Sequence, residues 1–157
     1  MAGEPVVSVR MSKDEAWDLL TDAHTAIFTT LRRDGVPIAM PVWFAVIDRH
    51  VYLNTRGRKL ERIRRDARSS ILVEDGELWR ELRAVHLTGR ARIIEPDPQL
   101  AARISAELDR KYAAYRTAPE DMPEATRAAY SGAAMETVEF VPDARVLNWD
   151  NGRLFAH

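Results

Sequence analysis

Residues 38–47 form an uninterrupted apolar stretch, and neither of its two alternating faces is polar. A strand that is buried on one side only alternates apolar with polar residues, so this stretch is expected to meet the core on one face. The other face should meet a helix, a second subunit or a flat ligand, each of which excludes water. Residues 48–50 are expected to form a turn, after which residues 51–54 return as the partner strand.

This return strand leads into Thr55-Arg56-Gly57-Arg58-Lys59, and a short helix is predicted over residues 59–65. Unpaired backbone N–H groups and fixed positive side chains converge at such a helix start. The segment is therefore a candidate anion site. The alternative is a solvated basic helix with no ligand.

The rest of the chain alternates strands with turn signals. A capping box at residues 12–15 opens a helix to residue 21, and Asp34-Gly35 marks a hairpin turn. A long helix begins at Asp97-Pro98, and a shorter one over residues 123–131 is expected to stop at Gly132. The other predicted strands cover residues 26–31, 70–74, 83–95, 135–141 and 145–149. Six or seven strands, mostly joined by hairpins, predict an antiparallel barrel with helices at its ends, in the α+β class.

Composition narrows the function classes. A chain of 157 residues with 46% hydrophobic residues is expected to form one domain with a real core, and 30% charged residues argue against a membrane span. The net charge of -1 argues against nucleic acid as a partner. The absence of cysteine excludes disulfides and fits a cytoplasmic protein. The N-terminus shows no secretory signal pattern.

No residue pattern predicts catalytic side chains or a metal site. The four histidines lack metal-ligand spacing, and no serine lies in a nucleophile elbow. The acidic residues form no convincing acid–base pair. Such a chain fits a reaction whose difficult chemistry is supplied by a cofactor, with the protein providing position and electrostatics.

Taken in order, seven segments resemble the FMN-binding split-barrel superfamily, which includes the pyridoxamine 5'-phosphate oxidases. They are residues 29–37 (TTLRRDGVP), 40–44 (MPVWF), 52–55 (YLNT), 58–59 (RK), 63–68 (IRRDAR), 85–91 (VHLTGRA) and 148–150 (NWD). The chain is most similar to the branch that uses the deazaflavin coenzyme F420. The similarity runs from about residue 12 to residue 150.

The resemblance implies a single split-barrel domain over residues 1–157, with six or seven antiparallel strands. Residues 1–11 are expected to be flexible, and residues 97–131 to form a helical insertion between barrel strands. It also implies a homodimer with two cofactor sites at the interface between its subunits.

The same resemblance implies the site residues. The backbone of Pro41, Val42, Trp43 and Phe44 would lie along the cofactor ring, and Asn54, Thr55, Arg58 and Lys59 would hold its ribityl and phosphate oxygens. Trp79, Arg80 and Trp149 would reach the cofactor from the rim or the partner subunit, and the substrate would lie at the open face near Trp79 and Trp149. Residues 77–82 depart from the glycine-containing pattern of the family. Trp43 could instead be plain core, and Trp149 structural.

The function implied is an F420-dependent oxidoreductase that transfers a hydride to an unsaturated or conjugated small molecule. One alternative is an FMN-binding oxidase or reductase of the same fold. A second is a protein that binds a flavin, haem or related tetrapyrrole without turnover, and a third is an interaction domain without a ligand.

Overall fold

The computed structural model describes residues 8–131 and 134–156. Its strands are β1 (Ala26–Leu31), β2 (Pro37–Val42), β3 (Ala45–Ile47), β4 (His50–Thr55), β5 (Arg68–Asp75), β6 (Arg83–Ile94) and β7 (Glu136–Asp150). Its α-helices are α1 (Lys13–Asp22), α2 (Arg58–Arg65), α3 (Pro98–Tyr112) and α4 (Glu124–Ser131). The predicted α+β class is confirmed.

The seven strands form one antiparallel sheet in the order β2-β1-β5-β6-β7-β4-β3. The two edge strands, β2 and β3, are nevertheless consecutive in the chain and joined only by Trp43 and Phe44. Three Cα steps span at most about 11 Å, so the two edges of the sheet must approach each other. The sheet therefore curls into the split barrel that the sequence predicts.

The prediction of a single strand over residues 38–47 is wrong. The chain leaves the ladder at Trp43 and Phe44, because the Tyr112 hydroxyl takes over the hydrogen bonding of the Phe44 backbone. After this break, β3 has both faces covered, by the main core on one side and by α3 on the other. By contrast, β2 is an edge strand that exposes most of its side chains.

The prediction of two strands at residues 135–141 and 145–149 is also wrong, since β7 is continuous from Glu136 to Asp150. It passes Pro142 at a register shift opposite Gly89. Proline fits there because a bulge leaves a position without a ladder hydrogen bond. A Cβ on Gly89 would lie 2.3 Å from the Val141 carbonyl oxygen, so β6 needs glycine at this crossing.

The main core fills the barrel. Its fully buried large side chains include Phe28, Leu53, Ile71, Leu87, Val138 and Phe140. A smaller cluster, in which Ile104 of α3 packs on Ala45, Ile47 and Tyr52, anchors the insertion to the outside of the sheet. Helix α1 has the predicted capping box and buries Trp17, Leu19 and Leu20.

Two predictions lie outside the described residues: the flexibility of residues 1–7 and the helix stop at Gly132. Within the described part, the Val9 carbonyl accepts from the Asp150 N–H at 2.7 Å, and the Met11 N–H donates to Asn148 Oδ1 at 2.7 Å. These bonds fasten the segment before α1 to β7. Of the helices in residues 8–131 and 134–156, none is long and apolar enough to cross a bilayer.

Candidate functional site

The N-terminus of α2 is open to an approaching ligand. Its N-cap is Gly57, with a φ of 71°, and no described side chain caps the first turn. Apart from Gly57 itself, its chain neighbours and the adjoining helix backbone, no described atom lies within 4 Å of the position that a Cβ on Gly57 would occupy. The buried Leu60 and Ile63 hold α2 against the core, and the N–H groups of its first turn point along the helix axis past its N-terminus. Such N–H groups can hold the oxygens of an anion.

A groove of about 500 Å³ lies between α2 and the β1–β2 hairpin, and we call it the basic groove. It is lined by Arg32, Arg33, Ile38, Arg58, Glu61, Arg62 and Arg65. Five guanidinium groups against one carboxylate make it strongly positive. Guanidinium groups bind phosphate and carboxylate with paired, charge-assisted hydrogen bonds.

Three of these arginines are held by the protein. Arg62 Nε donates to the buried Thr30 hydroxyl at 2.8 Å, and Arg65 Nη2 donates to the Leu31 carbonyl at 2.9 Å. Arg32 pairs with Asp34 at 2.6 Å. Arg33 and Arg58 have no ion pair within the described ranges and are exposed. The groove thus combines positioned charges with two that are available to a ligand.

Lys59 is placed differently from Arg58. It is half-buried, and the described lining of the basic groove includes Arg58 but not Lys59. Both residues lie in the first turn of α2, so the two amide N–H groups adjoin the same open helix start.

The Trp43–Phe44 junction is shaped by α3. The Tyr112 hydroxyl accepts from the Phe44 N–H at 3.0 Å, and its own proton lies within reach of the carbonyls of His24 at 2.9 Å and Phe44 at 3.2 Å. The indole of Trp43 stacks on the Tyr112 ring, while the Phe44 side chain is fully buried. Helix α3 therefore fixes the backbone that the resemblance assigns to the cofactor wall.

Lys111 lies behind this wall. Its Nζ is 3.7 Å from the centroid of the Phe44 ring, is buried, and has no hydrogen-bond partner among the described residues. Burial lowers the pKa of Lys111 to about 8. Burial also raises the pKa of the Tyr112 hydroxyl, which keeps it protonated as a donor.

Asn54 and Thr55 do not join the basic groove. The Thr55 side chain is buried, and Asn54 Oδ1 accepts from the Thr137 hydroxyl at 3.0 Å. Asn54 lines a smaller groove of about 280 Å³ under α3, together with Thr137 and Arg116. In β2, Pro41 is exposed and Val42 packs on the main core.

The remaining predicted residues lie at a corner near the C-terminus. Trp79 is 63% exposed, its ring meets Phe155 edge-on at 6.2 Å, and its carbonyl accepts from Asn151 at 2.8 Å. Arg80 is exposed beside it, and Trp149 is half-buried on β7 opposite Ala84. Neither the basic groove nor the groove at Asn54 includes these residues in its described lining.

Sequence reasoning missed several residues of the site. For α2 a signal exists, because Arg58, Glu61, Arg62 and Arg65 follow the i, i+3, i+4, i+7 spacing of one helix face. For Tyr112 no local signal exists, since its partner Phe44 lies 68 residues earlier. No group of three or more metal-ligating side chains is found within residues 8–131 and 134–156.

Solved structures share this fold along nearly the whole chain. The conserved hypothetical protein Rv2991 of Mycobacterium tuberculosis is 28% identical, with a TM-score of 0.77 over 98% of this chain and 94% of that one. An FAD-binding protein of Mesorhizobium loti is 18% identical, with a TM-score of 0.67 over 88% and 94% of the two chains. The haem storage protein HutZ of Vibrio cholerae is 11% identical, with a TM-score of 0.65 over 89% and 97%.

No curated protein matches the sequence. The family model described as pyridoxamine 5'-phosphate oxidase matches residues 12–142, which include the whole barrel up to the bulge in β7. The basic groove, the open start of α2 and the Trp43–Phe44 junction all lie within that match. This chain belongs to the pyridoxamine 5'-phosphate oxidase family.

Proposed function

We propose that this protein is an oxidoreductase that binds the deazaflavin F420 and acts on an unsaturated or conjugated small molecule. The observation that carries the proposal is the basic groove next to the open start of α2. F420 carries a phosphodiester followed by a tail of glutamates, so it brings several anionic groups beyond its ring. Five arginines in one groove match a ligand with several anions better than one with a single phosphate.

The residues present fit such a cofactor. The N–H groups of Arg58 and Lys59, the Arg58 guanidinium and the Lys59 ammonium would bind the phosphodiester, and Arg33 would reach the tail. The backbone at Val42, Trp43 and Phe44 would border the ring. Before either could reach the ribityl hydroxyls, Asn54 would have to break its hydrogen bond with Thr137, and Thr55 would have to leave its buried position. When bound, the deazaflavin supplies the hydride, and the protein supplies orientation and exclusion of water.

A second candidate is an enzyme that uses FMN or FAD. The FAD-binding neighbour from Mesorhizobium loti favours it, and the two phosphates of FAD would also suit the basic groove. HutZ is described as a haem storage protein, so a protein that binds its ligand without turnover is a further alternative. These candidates differ from F420 in the tail or the ring.

A homodimer is part of the proposal. Strand β2 is an edge strand within the described sheet, and its neighbourhood exposes Val36 and Met40. Exposed apolar side chains along an unpaired edge favour a second copy as the cover. Light scattering at micromolar protein is expected to give twice the chain mass, and a monomer would contradict a site at an interface. A cytoplasmic location, as predicted from the sequence, completes the proposal.

The test is a titration of the purified protein with F420, FMN, FAD and haem side by side, followed by fluorescence or absorbance. We expect F420 to bind at least about tenfold more tightly than the others, with an affinity that falls as salt rises. Tighter binding of FMN or FAD would show that the cofactor is one of these flavins and not F420. Binding of haem alone, or of none of the four, would overturn the proposal. Reduced F420 is then mixed with quinones and enones, and an absence of turnover would leave only the binding function.

A further inference from the structure

A second groove lies between Trp43 of the junction and the segment that joins β6 to β7. We call it the aromatic groove, and its walls include Trp43, Tyr115, Arg116, Met122, Pro123 and Tyr130. Its volume is about 790 Å³. Sites for small organic molecules range over roughly 300–1,000 Å³ and are lined mainly by apolar and aromatic groups. The aromatic groove has that size and that lining.

The rings of the groove are open to solvent. Trp43 is 40% exposed, Tyr115 63% and Tyr130 62%. Three aromatic side chains around one concavity leave apolar surface in water that a ligand could cover. Aromatic faces prefer to stack on other flat rings. The lining therefore favours a planar ligand over a branched aliphatic one.

The rings are also held in place. The Trp43 indole lies 4.4 Å from the Tyr112 ring and 4° from parallel to it. The Arg56 guanidinium lies 4.2 Å from the Tyr130 ring centroid and donates to the carbonyls of Ala129 and Tyr130 at 3.4 and 3.3 Å. Arg56 thus fastens α4 to the end of β4. Walls that are fixed before binding lose less conformational entropy when a ligand arrives.

The charge of the aromatic groove is balanced. Its lining contains one cationic side chain, Arg116, and one carboxylate, Asp121. Thr117 and Thr126 supply hydroxyl groups. The basic groove, in contrast, has five arginines and one glutamate. An uncharged molecule therefore suits the aromatic groove, whereas an anionic tail suits the basic one.

We propose that the aromatic groove binds an uncharged, planar, fused-ring molecule that carries an oxygen able to hydrogen-bond with the threonine hydroxyls, and that this molecule is the substrate of the enzyme. The role as substrate rests on the proposed function, whereas the binding itself does not. The assignment moves the substrate away from the predicted corner at Trp79 and Trp149 and places it beside the Trp43 indole. Trp43 would then serve both ligands, with its backbone beside the cofactor and its indole beside the substrate.

The experiment measures binding of naphthol to the full-length protein without cofactor, by calorimetry. Decahydronaphthol, which has the same skeleton and hydroxyl but is not planar, is the matched ligand. We expect naphthol to bind at least about tenfold more tightly. Trp43→Leu and Tyr115→Leu should each weaken naphthol binding about fivefold or more. Phe155→Leu removes an exposed aromatic side chain outside the groove and should leave binding unchanged, and Trp79→Leu tests the corner that the resemblance implies. The exposed Tyr115 provides the test if Trp43→Leu does not fold.

Equal binding of the two ligands would overturn the inference. Loss of binding in Trp79→Leu, with retention in Tyr115→Leu, would place the ligand at the C-terminal corner instead. F420 is titrated into the same proteins, which separates this inference from the proposed function. If F420 binds and naphthol does not, the inference about the aromatic groove is wrong and the proposed function is unaffected. Naphthol binding without binding of F420, FMN or FAD would overturn the proposed function alone.

Discussion

The indole of Trp43 lies flat on the phenol ring of Tyr112, with the ring centroids 4.4 Å apart and the planes 4° from parallel. One residue belongs to the junction between the two barrel edges, and the other is the last residue of α3. The same tyrosine binds both backbone polar groups of Phe44. The insertion and the junction therefore form one packed unit, and substitutions in α3 should alter the structure of the site.

Replacing Tyr112 by Phe should keep the ring stack but remove the hydroxyl. The Phe44 N–H would lose its partner in a buried place and the His24 carbonyl in a partly buried one, which costs about 1–3 kcal/mol of unfolding free energy. Urea denaturation measures the loss. Tyr115→Phe, which removes an exposed hydroxyl three residues later, should leave the midpoint almost unchanged. A stable Tyr112→Phe variant would show that the junction does not depend on this hydroxyl.

Replacing Lys59 by Ala should weaken cofactor affinity at least about tenfold, because a charge-assisted contact to a phosphate is worth roughly 1.5–3 kcal/mol. The melting temperature without ligand should stay nearly the same. Lys13→Ala is the matched control, since Lys13 also lies in the first turn of a helix. Arg58→Ala is compared with both. Unaltered affinity in Lys59→Ala together with a loss in Arg58→Ala would remove Lys59 from the site and leave Arg58 as the anchor.

The stability of the protein should rise with pH through the titration of Lys111. Its pKa in the folded chain is about 8, below its ordinary value of 10.5. Between these values the unfolded chain binds more protons than the folded one, so the free energy of unfolding increases with pH over that window. Lys111→Met should remove this rise and should be more stable than the wild type near neutral pH. Denaturation of both proteins at the two ends of the window provides the check, and parallel pH profiles would contradict the prediction.

The buried carboxylate of Glu139 should stabilise the sheet at neutral pH. Burial would raise its pKa, but hydrogen bonds from Arg92 at 2.6 Å, His50 at 2.8 Å and Tyr52 at 3.0 Å outweigh it, so the pKa is lowered. Glu139→Gln should cost about 1.5–3 kcal/mol. The difference should shrink as pH falls through the lowered pKa, because the wild-type carboxyl is then protonated. A constant difference down to acid pH would contradict this assignment.

The barrel could be predicted because its signals are local. The capping box at Ser12, the turn at Gly35 and the apolar alternation of the strands each depend on neighbouring residues. The break after Val42 could not be predicted, since it depends on a hydroxyl that the chain brings back 68 residues later. The continuous β7 was missed for a related reason. Pro142 fits at the register shift opposite Gly89, and nothing near Pro142 in the sequence reveals that shift.

The residues of the candidate site also divide into those that the sequence predicts and those that it does not. The sequence predicts Arg58 as a site residue because it follows Gly57 at the start of a helix. The structure has both the glycine and the helix start. Arg32 and Arg33 were not predicted, because they reach the basic groove only when the β1–β2 hairpin folds beside α2. The aromatic groove depends on how the insertion packs against Trp43, which no spacing in the sequence reveals. The roles of Trp79, Arg80 and Trp149 stay predictions.

The two-residue link from Val42 to Ala45 also constrains how the barrel can open. Strands β2 and β3 lie at opposite ends of the strand order of the sheet. Because the link is so short, neither strand can separate far from its paired neighbour without displacing the other. Free strand edges usually fray independently, and their amides exchange with solvent on unrelated timescales. Here the amides of β2 and β3 should exchange together, as though the two margins of the sheet were a single seam.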